Sequence, residues 1–381
     1  MFVRSLFLDG PRKKASRNLV HMHPFTDFKP RTDFEFDPAL KWFPHHMAKA
    51  KVAIPKKMPM VDVVVEVRDA RLPVTSAQFE LDEMIKLRPG KHRIVILNKQ
   101  DLVPRLVCRE AVSLLEMEGT PVFATSAVNH SNISEINAFI TKHVSARFKS
   151  LGITVMIVGL PNTGKSTILN AMKSVSPSPS FEKAEAKTSA VPGSTTHVGR
   201  IQINSHSPKI FVLDTPGIMV TKSGLNPISS SEMMMKLHLI GCMPDTLVGI
   251  NVLCDYILFM LNREGNFEYC KKLCLPAPTN ELDIVITAVA QQIREIANNR
   301  TTGRLDHHGA AMKFIKMFRD GTLGKICLDE IPNVDQIYID REREKKFIFL
   351  TEPPGPWGPS TYPIDTTLNR AIYIPKHISP K

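Results

Sequence analysis

The sequence lacks an apolar run long enough to cross a bilayer. Its longest apolar stretch, Leu247 to Leu261, is interrupted by Asn251 and Asp255, whereas a membrane-spanning helix needs about 20 consecutive apolar residues. We interpret this stretch as a buried helix and expect no transmembrane segment. With 381 residues, of which 43% are hydrophobic and 23% charged, the chain is long enough for two globular domains.

Cysteine pairs are also lacking. The six cysteines form no C-x-x-C motif, and Cys270 and Cys274 have no His or Cys set at zinc-finger spacing. The sequence therefore favours buried thiols in a reducing compartment over a metal site.

Acidic residues are scarce at the N-terminus, where Asp9 is the only one before Asp27. The same stretch mixes Arg, Lys and Ser with bulky apolar residues and has no apolar core of a secretory signal. This composition is typical of a mitochondrial presequence, but an ordinary basic terminus shares it, so both interpretations of residues 1–35 stay open. Residues 1–60 hold 12 Lys or Arg against five Asp or Glu, out of a formal net charge of +12. A basic excess predicts a polyanionic partner such as RNA, although part of it here can belong to the presequence.

What the sequence does contain is a G-x-x-x-x-G-K-S motif, in the segment Gly159–Thr167 that we call the phosphate loop. An apolar run, Ile153 to Val158, precedes it, and a helix is predicted after Lys165. Main-chain N–H groups of such a loop and the positive end of the helix dipole converge on an anion, while Lys165 adds a full charge and the Ser166 hydroxyl can ligate Mg²⁺. We therefore predict a nucleoside triphosphate site. The predicted phosphate-binding residues of the motif are Thr163, Gly164, Lys165, Ser166 and Thr167.

A second motif, Asn98-Lys-Gln-Asp101, has the pattern N-K-x-D and is called the base loop below. The Asp101 carboxylate can accept hydrogen bonds from N1–H and the 2-amino group of guanine, Asn98 can bind the O6/N7 edge, and the Lys99 stem can pack along the base. Adenine offers no such donor pair, so a buried Asp101 would be left unpaired. Together with Gln100 and the Ser126–Ala127 loop, these residues predict a guanine site.

Strands and helices alternate through this half of the chain, which is typical of a doubly wound, mainly parallel sheet. In such sheets the ligand loops lie beyond the carboxyl ends of the strands. Helices are predicted over Ser76–Leu87 and from Glu110 to Glu118. The predicted strands are Val61–Val67, Arg93–Leu97, Pro121–Ala124, Ile153–Val158 and Lys209–Leu213.

The order of the motifs is unusual, because in ordinary GTPases the phosphate loop precedes N-K-x-D. Here Asn98–Asp101 and Ser126–Ala127 come first, then Gly159, and Asp214-Thr-Pro-Gly217 comes last. Since all these loops lie on one edge of the sheet, joining the old termini and cutting an exposed loop rebuilds the same site. We therefore predict a circularly permuted P-loop GTPase domain over residues 36–225. The loop after Asp214, which senses the γ-phosphate through Mg²⁺, then leads directly into the C-terminal part, so nucleotide state can reposition that part.

From about Ser230 apolar residues recur at helical spacing. We predict an α-helical domain over 230–330 that binds RNA or the ribosome, followed by a Pro-rich extension over 331–381. The predicted helices are Met233–Leu239, Leu247–Leu261, Leu282–Ile296 and His308–Phe318. A basic patch there is the best candidate for RNA contact, with a solvated helix face as the alternative. The patch contains Arg300, Arg304, Lys313, Lys316, Arg319 and Lys325, with His307 and His308 beside them.

In kind, order and spacing these motifs match one family. The chain closely resembles the circularly permuted ribosome-assembly GTPases of the YlqF/RbgA type over roughly residues 40–330, and with its presequence it resembles their mitochondrial members. The matching segments are Trp42–Ala50, Val61–Pro73, Asn98–Asp101, Gly159–Thr167, Pro192–Thr195, Asp214–Gly217 and Met235–Gly241. The resemblance implies GTP hydrolysis with Mg²⁺ and binding to the mitochondrial large ribosomal subunit and its rRNA. It also implies a matrix location at the inner membrane, with peripheral association; we expect a monomer.

The resemblance further implies which residue positions the attacking water. Ile218 follows Gly217, where Ras-like enzymes have a glutamine, so another group must act. The family places this role on the histidine of a W-F-P-G-H-M-A-K segment, here His46, and a histidine can orient water near neutral pH. This chain has His45 in place of the usual glycine, which supplies a rival histidine.

Ligands of the cations follow from the same resemblance. Asn162 matches an asparagine of K⁺-stimulated members, in which K⁺ lies beside the phosphates. Thr195 matches the threonine that closes on Mg²⁺, and the adjacent Thr196 is the alternative. Asp214 would hold Mg²⁺ through water, and the Gly217 N–H would meet the γ-phosphate.

Two other functions share parts of this pattern. One is a ribosome- or rRNA-docking protein whose GTP site is structural and hydrolyses little. Intact Lys165, Ser166, Thr195 and Asp214 argue against it. The other is an ATP-dependent enzyme with the same phosphate loop, which the base loop Asn98–Asp101 argues against. Without a glutamine or an obvious arginine finger, we expect slow basal GTP hydrolysis that the ribosome and K⁺ stimulate.

Overall fold

The computed structural model describes residues 27–36, 55–78, 81, 84–85, 90–146, 152–176, 200–204, 207–214, 227–296 and 305–332. Within them, a six-stranded sheet has the order β3-β2-β1-β4-β6-β5. All neighbouring strands are parallel except β5, which pairs antiparallel with β6 at one edge. The predicted mainly parallel sheet is confirmed. Its strands are β1 (Val63–Asp69), β2 (His92–Asn98), β3 (Val122–Ala124), β4 (Ile153–Gly159), β5 (Arg200–Gln202) and β6 (Ile210–Asp214).

Three helices cover the two faces of this sheet. They are α1 (Arg105–Glu116), α2 (Ile133–His143) and α3 (Lys165–Ser174). Because successive side chains of a strand point to opposite faces, Ile94 and Ile96 pack with α2 and α3, whereas Val95 and Leu97 pack with α1. Strand β1 lies in the middle and is buried along its whole length, as expected for a strand covered on both faces.

The second half of the described chain is helical, as predicted. Its helices are α4 (Pro227–Leu239), α5 (Ile250–Arg263), α6 (Glu268–Lys272), α7 (Leu282–Ile296) and α8 (His307–Arg319). We call α4 to α8 the helical region. Its core surrounds α5 and includes Leu72 and Leu160 from the loops after β1 and β4. The helical region and two loops of the sheet therefore share an apolar core.

Some boundaries differ from the prediction. The helix expected over Leu247–Leu261 starts only at Ile250, because Gly249 at its N-cap has a φ of 93° and separates it from a short 3₁₀ turn. Helix α1 begins at Arg105, five residues before the predicted start. Strand β5 and helices α2 and α6 were not predicted; three and five residues are too short to show a period in β5 and α6.

The described part of the N-terminal region packs on the helical region. We call residues 27–36 the N-terminal strap. Arg31 forms two side-chain hydrogen bonds with Asp255, at 3.0 and 2.6 Å. The Phe34 ring lies 4.9 Å from that of Tyr256, and the Lys29 main-chain oxygen accepts from Asn280 at 3.0 Å. The strap is therefore part of the folded protein.

The chain that follows α8 contacts the sheet half of the protein. The segment Lys325–Ile331, called the return segment below, runs back to the loop that follows β1. The Leu328 N–H donates to the oxygen of Arg71 at 2.8 Å, and the Asp329 carboxylate accepts from the N–H groups of Val74 and Thr75, each at 2.8 Å. The chain after α8 is thus held to the loop that follows β1.

No helix within the described residues is long and apolar enough to cross a bilayer. All six cysteines are free thiols. Four of them are buried as expected, Cys327 is half-buried, and Cys274 is exposed, so the expectation of a buried thiol was wrong for Cys274.

Candidate functional site

The carboxyl ends of the parallel strands bring the predicted loops to one edge of the sheet. Asp69 at the end of β1 pairs in register with Asn98 at the end of β2. Gly159 at the end of β4 pairs with Val67, and Asp214 at the end of β6 pairs with Ile157. The base loop and the phosphate loop are therefore separated by a single strand.

The phosphate loop has the predicted strand–loop–helix form, from β4 to α3. Gly164 forms the N-cap of α3 with a φ of 90°, and a Cβ there would collide with the Asn98 side chain, so only glycine fits. The Thr163 hydroxyl donates to the Leu160 oxygen at 3.0 Å, and the Lys165 ammonium donates to the same oxygen at 2.7 Å. Ser166 and Thr167 are half-buried in the first turn of α3. The main-chain N–H groups of a first helical turn and the positive end of the helix dipole can bind a phosphate.

Asn98 joins three loops. Its side-chain nitrogen donates to the Thr163 oxygen at 2.8 Å, and its side-chain oxygen accepts from the Ala127 N–H at 3.1 Å. The residue is 3% exposed. The amide retains one further N–H and one further oxygen lone pair, so the contact with the O6/N7 edge of guanine stays a prediction. Asn98 braces the base loop against the phosphate loop and the Ser126–Ala127 loop.

Lys99 makes the second connection between the two loops. Its backbone has a φ of 64°, and its ammonium donates to the Asn162 oxygen at 2.7 Å. The same nitrogen lies 2.9 Å from a carboxylate oxygen of Asp69, a residue buried at the end of β1. Burial alone raises the pKa of Asp69, but the charges of Arg71 and Lys99 outweigh it and hold that pKa far below its usual value. Asp69 is therefore an anion at neutral pH.

The other residues of the predicted guanine site lie in the base loop and in the loop after β3. Asp101 lies in a 3₁₀ turn, Gln100 to Leu102, and its side chain is exposed, so its carboxylate is accessible to a ligand. The Gln100 N–H donates to the Thr125 oxygen at 2.9 Å, which joins the base loop to the loop after β3. The Ser126 hydroxyl is buried and has no hydrogen-bond partner in the part of the chain that the structure describes.

Asn162 connects the phosphate loop to the helical region. Its side-chain nitrogen donates to the Gly241 oxygen at 2.6 Å, beyond the end of α4. Next to it, the Cys242 thiol donates to the Pro161 oxygen at 2.9 Å. This orientation assigns the amide nitrogen of Asn162 to the protein, so the side-chain oxygen is the atom that a K⁺ ion would need.

Several predicted residues lie outside the described residues. They are His45, His46, Thr195, Thr196 and Gly217. The backbone of Asp214 is described at the end of β6, but its side chain is not. Of the proposed Mg²⁺ ligands, Ser166 and the backbone position of Asp214 therefore lie on adjacent strand–loop units. Hydroxyl and carboxylate oxygens are the ligands that Mg²⁺ prefers.

Comparison with known proteins gives the family. The family model described as 50S ribosome-binding GTPase matches residues 154–301, and the model described as RsgA GTPase matches residues 84–223. Mitochondrial ribosome-associated GTPase 1 of Mus musculus is 32% identical over 304 residues, which cover 76% of this chain and 90% of that protein. This chain belongs to the mitochondrial GTPase 1 family. Mitochondrial GTPase 1 of Schizosaccharomyces pombe is 30% identical over 342 residues, 84% of this chain and 98% of that protein.

Solved structures of YlqF are also similar to this member of the mitochondrial GTPase 1 family. GNP-bound YlqF from T. maritima is 23% identical with a TM-score of 0.48, covering 75% of this chain and all of that one. The GDP-bound form is 22% identical with a TM-score of 0.45, covering 73% and 98%. The family membership confirms the resemblance to YlqF/RbgA-type GTPases that the sequence motifs indicated.

The basic patch predicted in the helical region of this mitochondrial GTPase 1 relative is only partly available at the surface. Lys313 and Lys316 are exposed on α8, and Lys325 is exposed beyond it. Arg319, however, forms a bidentate ion pair with Asp245 and donates to the main-chain oxygen of His238 at 2.8 Å. Arg319 therefore has a structural contact, which a count of charges along the sequence does not reveal.

Sequence reasoning missed Asp69 and Arg71. In the sequence analysis both lie within the matching segment Val61–Pro73, and neither was given a role. The available signal was a charged Asp directly after an apolar β-branched run, at the sheet edge where ligand loops lie. Its partner Arg71 is 1% exposed and donates to both carboxylate oxygens of Asp69.

Proposed function

We propose that this member of the mitochondrial GTPase 1 family hydrolyses GTP as an assembly or quality-control factor for the large subunit of the mitochondrial ribosome, and so supports mitochondrial translation. The observation that carries this proposal is the junction of the base loop with the phosphate loop through Asn98 and Lys99. An N-K-x-D loop fixed beside a phosphate cradle is built to select and bind GTP. The name of the Mus musculus relative, which includes "ribosome-associated", supports the ribosome as partner.

Binding of GTP is assigned to residues on both loops. The exposed Asp101 carboxylate accepts from guanine, while Lys99, Gln100, Ser126 and Ala127 shape the base pocket. Asn98 holds this pocket in place and contacts the O6/N7 edge of guanine with its remaining hydrogen-bonding capacity. The phosphates bind the main-chain N–H groups of the phosphate loop and of the first turn of α3, from Asn162 to Thr167. The Lys165 ammonium and the Gly217 N–H add to this binding.

Cations complete the proposed site. Ser166, Thr195 and Asp214 would hold Mg²⁺, which neutralises charge on the phosphates. The oxygen of the Asn162 amide would face K⁺, because its nitrogen donates to Gly241.

Hydrolysis requires a group that orients water, and we assign this role to His46. A neutral imidazole can accept a proton from water near neutral pH. Without a glutamine after Gly217, we expect slow basal turnover that binding to the ribosome accelerates.

The proposed partner is the mitochondrial large subunit with its rRNA. Exposed Lys313 and Lys316 on α8 offer two phosphate contacts one turn apart or less. The basic terminus and the mitochondrial names of the relatives support a location in the mitochondrion. We place the protein on the matrix side of the inner membrane as a peripheral monomer.

Single-turnover hydrolysis of radiolabelled GTP tests this function. The rate is measured with and without purified mitochondrial large subunits, in K⁺ and in Na⁺ buffer, with Lys165→Ala as the inactive control. We expect slow turnover that large subunits and K⁺ accelerate. Rapid GTP binding without any acceleration by large subunits would instead indicate a docking protein with a structural nucleotide.

A further inference from the structure

The base loop is held from behind by a buried ion cluster. The Lys99 ammonium and the Arg71 guanidinium both contact the Asp69 carboxylate; Arg71 uses Nε at 3.0 Å and Nη2 at 2.9 Å. Asp69 and Arg71 are essentially inaccessible to solvent. Because Lys99 belongs to the base loop, any displacement of Arg71 is transmitted to that loop through Asp69.

Arg71 also belongs to the interface with the helical region. Its Nη1 donates to the main-chain oxygen of Arg319 at the end of α8, at 3.4 Å, and its guanidinium carbon lies 5.9 Å from the centre of the Phe318 ring. The Arg71 main-chain oxygen accepts from Leu328 of the return segment at 2.8 Å. A single side chain therefore touches the acid behind the base loop and the end of α8.

The return segment contacts the chain directly after the base loop as well. The Ile326 N–H donates to the oxygen of Leu102 at 3.0 Å, one residue beyond Asp101. Gly321, just after α8, is so close to the Leu102 side chain that a Cβ there would collide with it. The residue that follows the base loop is thus packed against the chain that follows α8.

The residues that follow α4 in the helical region contact the phosphate loop. Gly241 accepts from the Asn162 side chain, and Cys242 donates to Pro161. Arg319 donates to the main-chain oxygens of His238 and Leu239, and these bonds hold the end of α4 to the end of α8. The helical region therefore contacts the phosphate loop directly and the base loop through the buried ion cluster. GDP and GTP both use these two loops.

We propose that the helical region positions the base loop through Arg71, so that loss of this docking weakens the binding of GDP and GTP by the same factor. The proposal rests on the proposed function for its ligand, a guanine nucleotide. A sensor of the γ-phosphate changes the affinity for GTP alone, whereas a contact behind the base loop acts on both nucleotides. Because coupling is reciprocal, bound GDP also tightens the docking of the return segment. A partner that displaces the helical region then promotes nucleotide release.

The first test compares GDP and a non-hydrolysable GTP analogue on two variants of the full chain. Arg71→Lys keeps the charge but loses the paired contact with Asp69, and Asp329→Asn weakens the return segment without touching the ion cluster. The control is Arg109→Lys, an exposed arginine on α1. We expect each test variant to raise both Kd values about tenfold or more at an unchanged ratio, with faster release of a fluorescent GDP. Unchanged Kd values in both variants, or a change for the GTP analogue only, overturn the proposal.

The second test uses the unmodified protein, so it does not depend on the folding of a variant. Hydrogen exchange is measured with and without GDP at the Ile326 and Leu328 N–H groups, with the amides of α7 as the internal control. We expect GDP to slow exchange at 326 and 328 several-fold more than in α7. Equal exchange with and without GDP overturns the proposal. If the unmodified protein binds no guanine nucleotide, the proposed function fails too; if it binds and the variants match it, only this inference fails.

Discussion

The side-chain nitrogen of Asn98 lies 2.8 Å from the main-chain oxygen of Thr163, so the base loop and the phosphate loop are joined by one buried amide. A carboxylate at this position cannot donate to Thr163. We therefore expect Asn98→Asp to lower the free energy of unfolding by about 1–3 kcal/mol and to weaken GDP and GTP together. Chemical denaturation and nucleotide titration measure the two effects.

Asn137→Asp is a matched control for this change. Asn137 is a half-buried amide on α2 that donates to the Met172 oxygen at 2.9 Å, at the other end of α3. We expect it to lose stability while keeping its nucleotide affinity. Equal loss of affinity in both variants would show that Asn98 acts only through general stability.

Base selection is predicted to depend on Asp101. In Asp101→Asn the side chain gains a donor that matches the carbonyl of xanthine and loses the acceptor pair for guanine. We expect affinity for GTP to fall at least about tenfold and xanthosine triphosphate to become the preferred ligand. Competition binding measures this, with Glu135→Gln on α2 as an exposed control. Retained preference for GTP would make the base assignment wrong.

Water positioning is predicted to depend on His46. Loss of a general base costs about 10²-fold or more, so His46→Ala should slow ribosome-stimulated hydrolysis by that factor and leave the Kd for GTP unchanged. His45→Gly, which restores the glycine of the family pattern, should keep the rate or increase it. Loss of turnover in His45→Gly with normal turnover in His46→Ala would transfer the role to His45.

Acid sensitivity is predicted to come from His238. Both ring nitrogens are buried without a hydrogen-bond partner among the described residues. Burial, with Arg319 adding and Asp245 opposing, lowers its pKa to about 4 from 6.5. The unfolded chain therefore takes up a proton that the folded protein does not, and stability falls as the pH drops from about 6.5 to 4, by up to about 1.4 kcal/mol per pH unit.

His238→Leu should flatten this dependence. Denaturation midpoints at several pH values between 7 and 4.5 measure it, with His92→Leu as the exposed control. A slope in His238→Leu as steep as in the unmodified chain would contradict the assignment.

The N-terminal strap is predicted to be part of the mature protein. A chain that begins at Asp27 keeps the Arg31–Asp255 pair and the ring contacts of Phe34, whereas a chain that begins at Asp37 loses both. We expect the shorter chain to be less stable by on the order of 2 kcal/mol and the longer one to match the full chain. Thermal unfolding measures this, and N-terminal sequencing of protein from mitochondria should place any cleavage before Phe28.

The sequence predicted the parts of the fold that local patterns encode. The buried strand β1 reads as a β-branched run, α7 as an apolar period from Leu282 to Ile296, and the phosphate loop as a short fixed motif. The Asp69–Arg71–Lys99 cluster was not predictable in this way, because it depends on the register that sets Asp69 beside Asn98. Pairing of charges across strands carries no signal along the chain.

The helical region shows the same limit. Its longer helices, α4, α5, α7 and α8, were predicted from their periods, but the period does not say which basic residues stay at the surface. Along the sequence Arg319 resembles Lys316, three positions before it. In the structure Arg319 instead pairs with Asp245 and donates to main-chain oxygens at the end of α4. For the same reason the sequence did not predict that the Asn98 amide also joins Thr163 to Ala127.

The N-terminal strap also fixes the order in which the molecule can be completed. Arg31 and its partner Asp255 are 224 positions apart, so the strap has no surface to bind until α5 has been made and packed. Contacts between such distant positions form late, because a long loop must close before they are rewarded. The first described residues of the chain therefore reach their native place only after α5 has formed, although they are synthesised first.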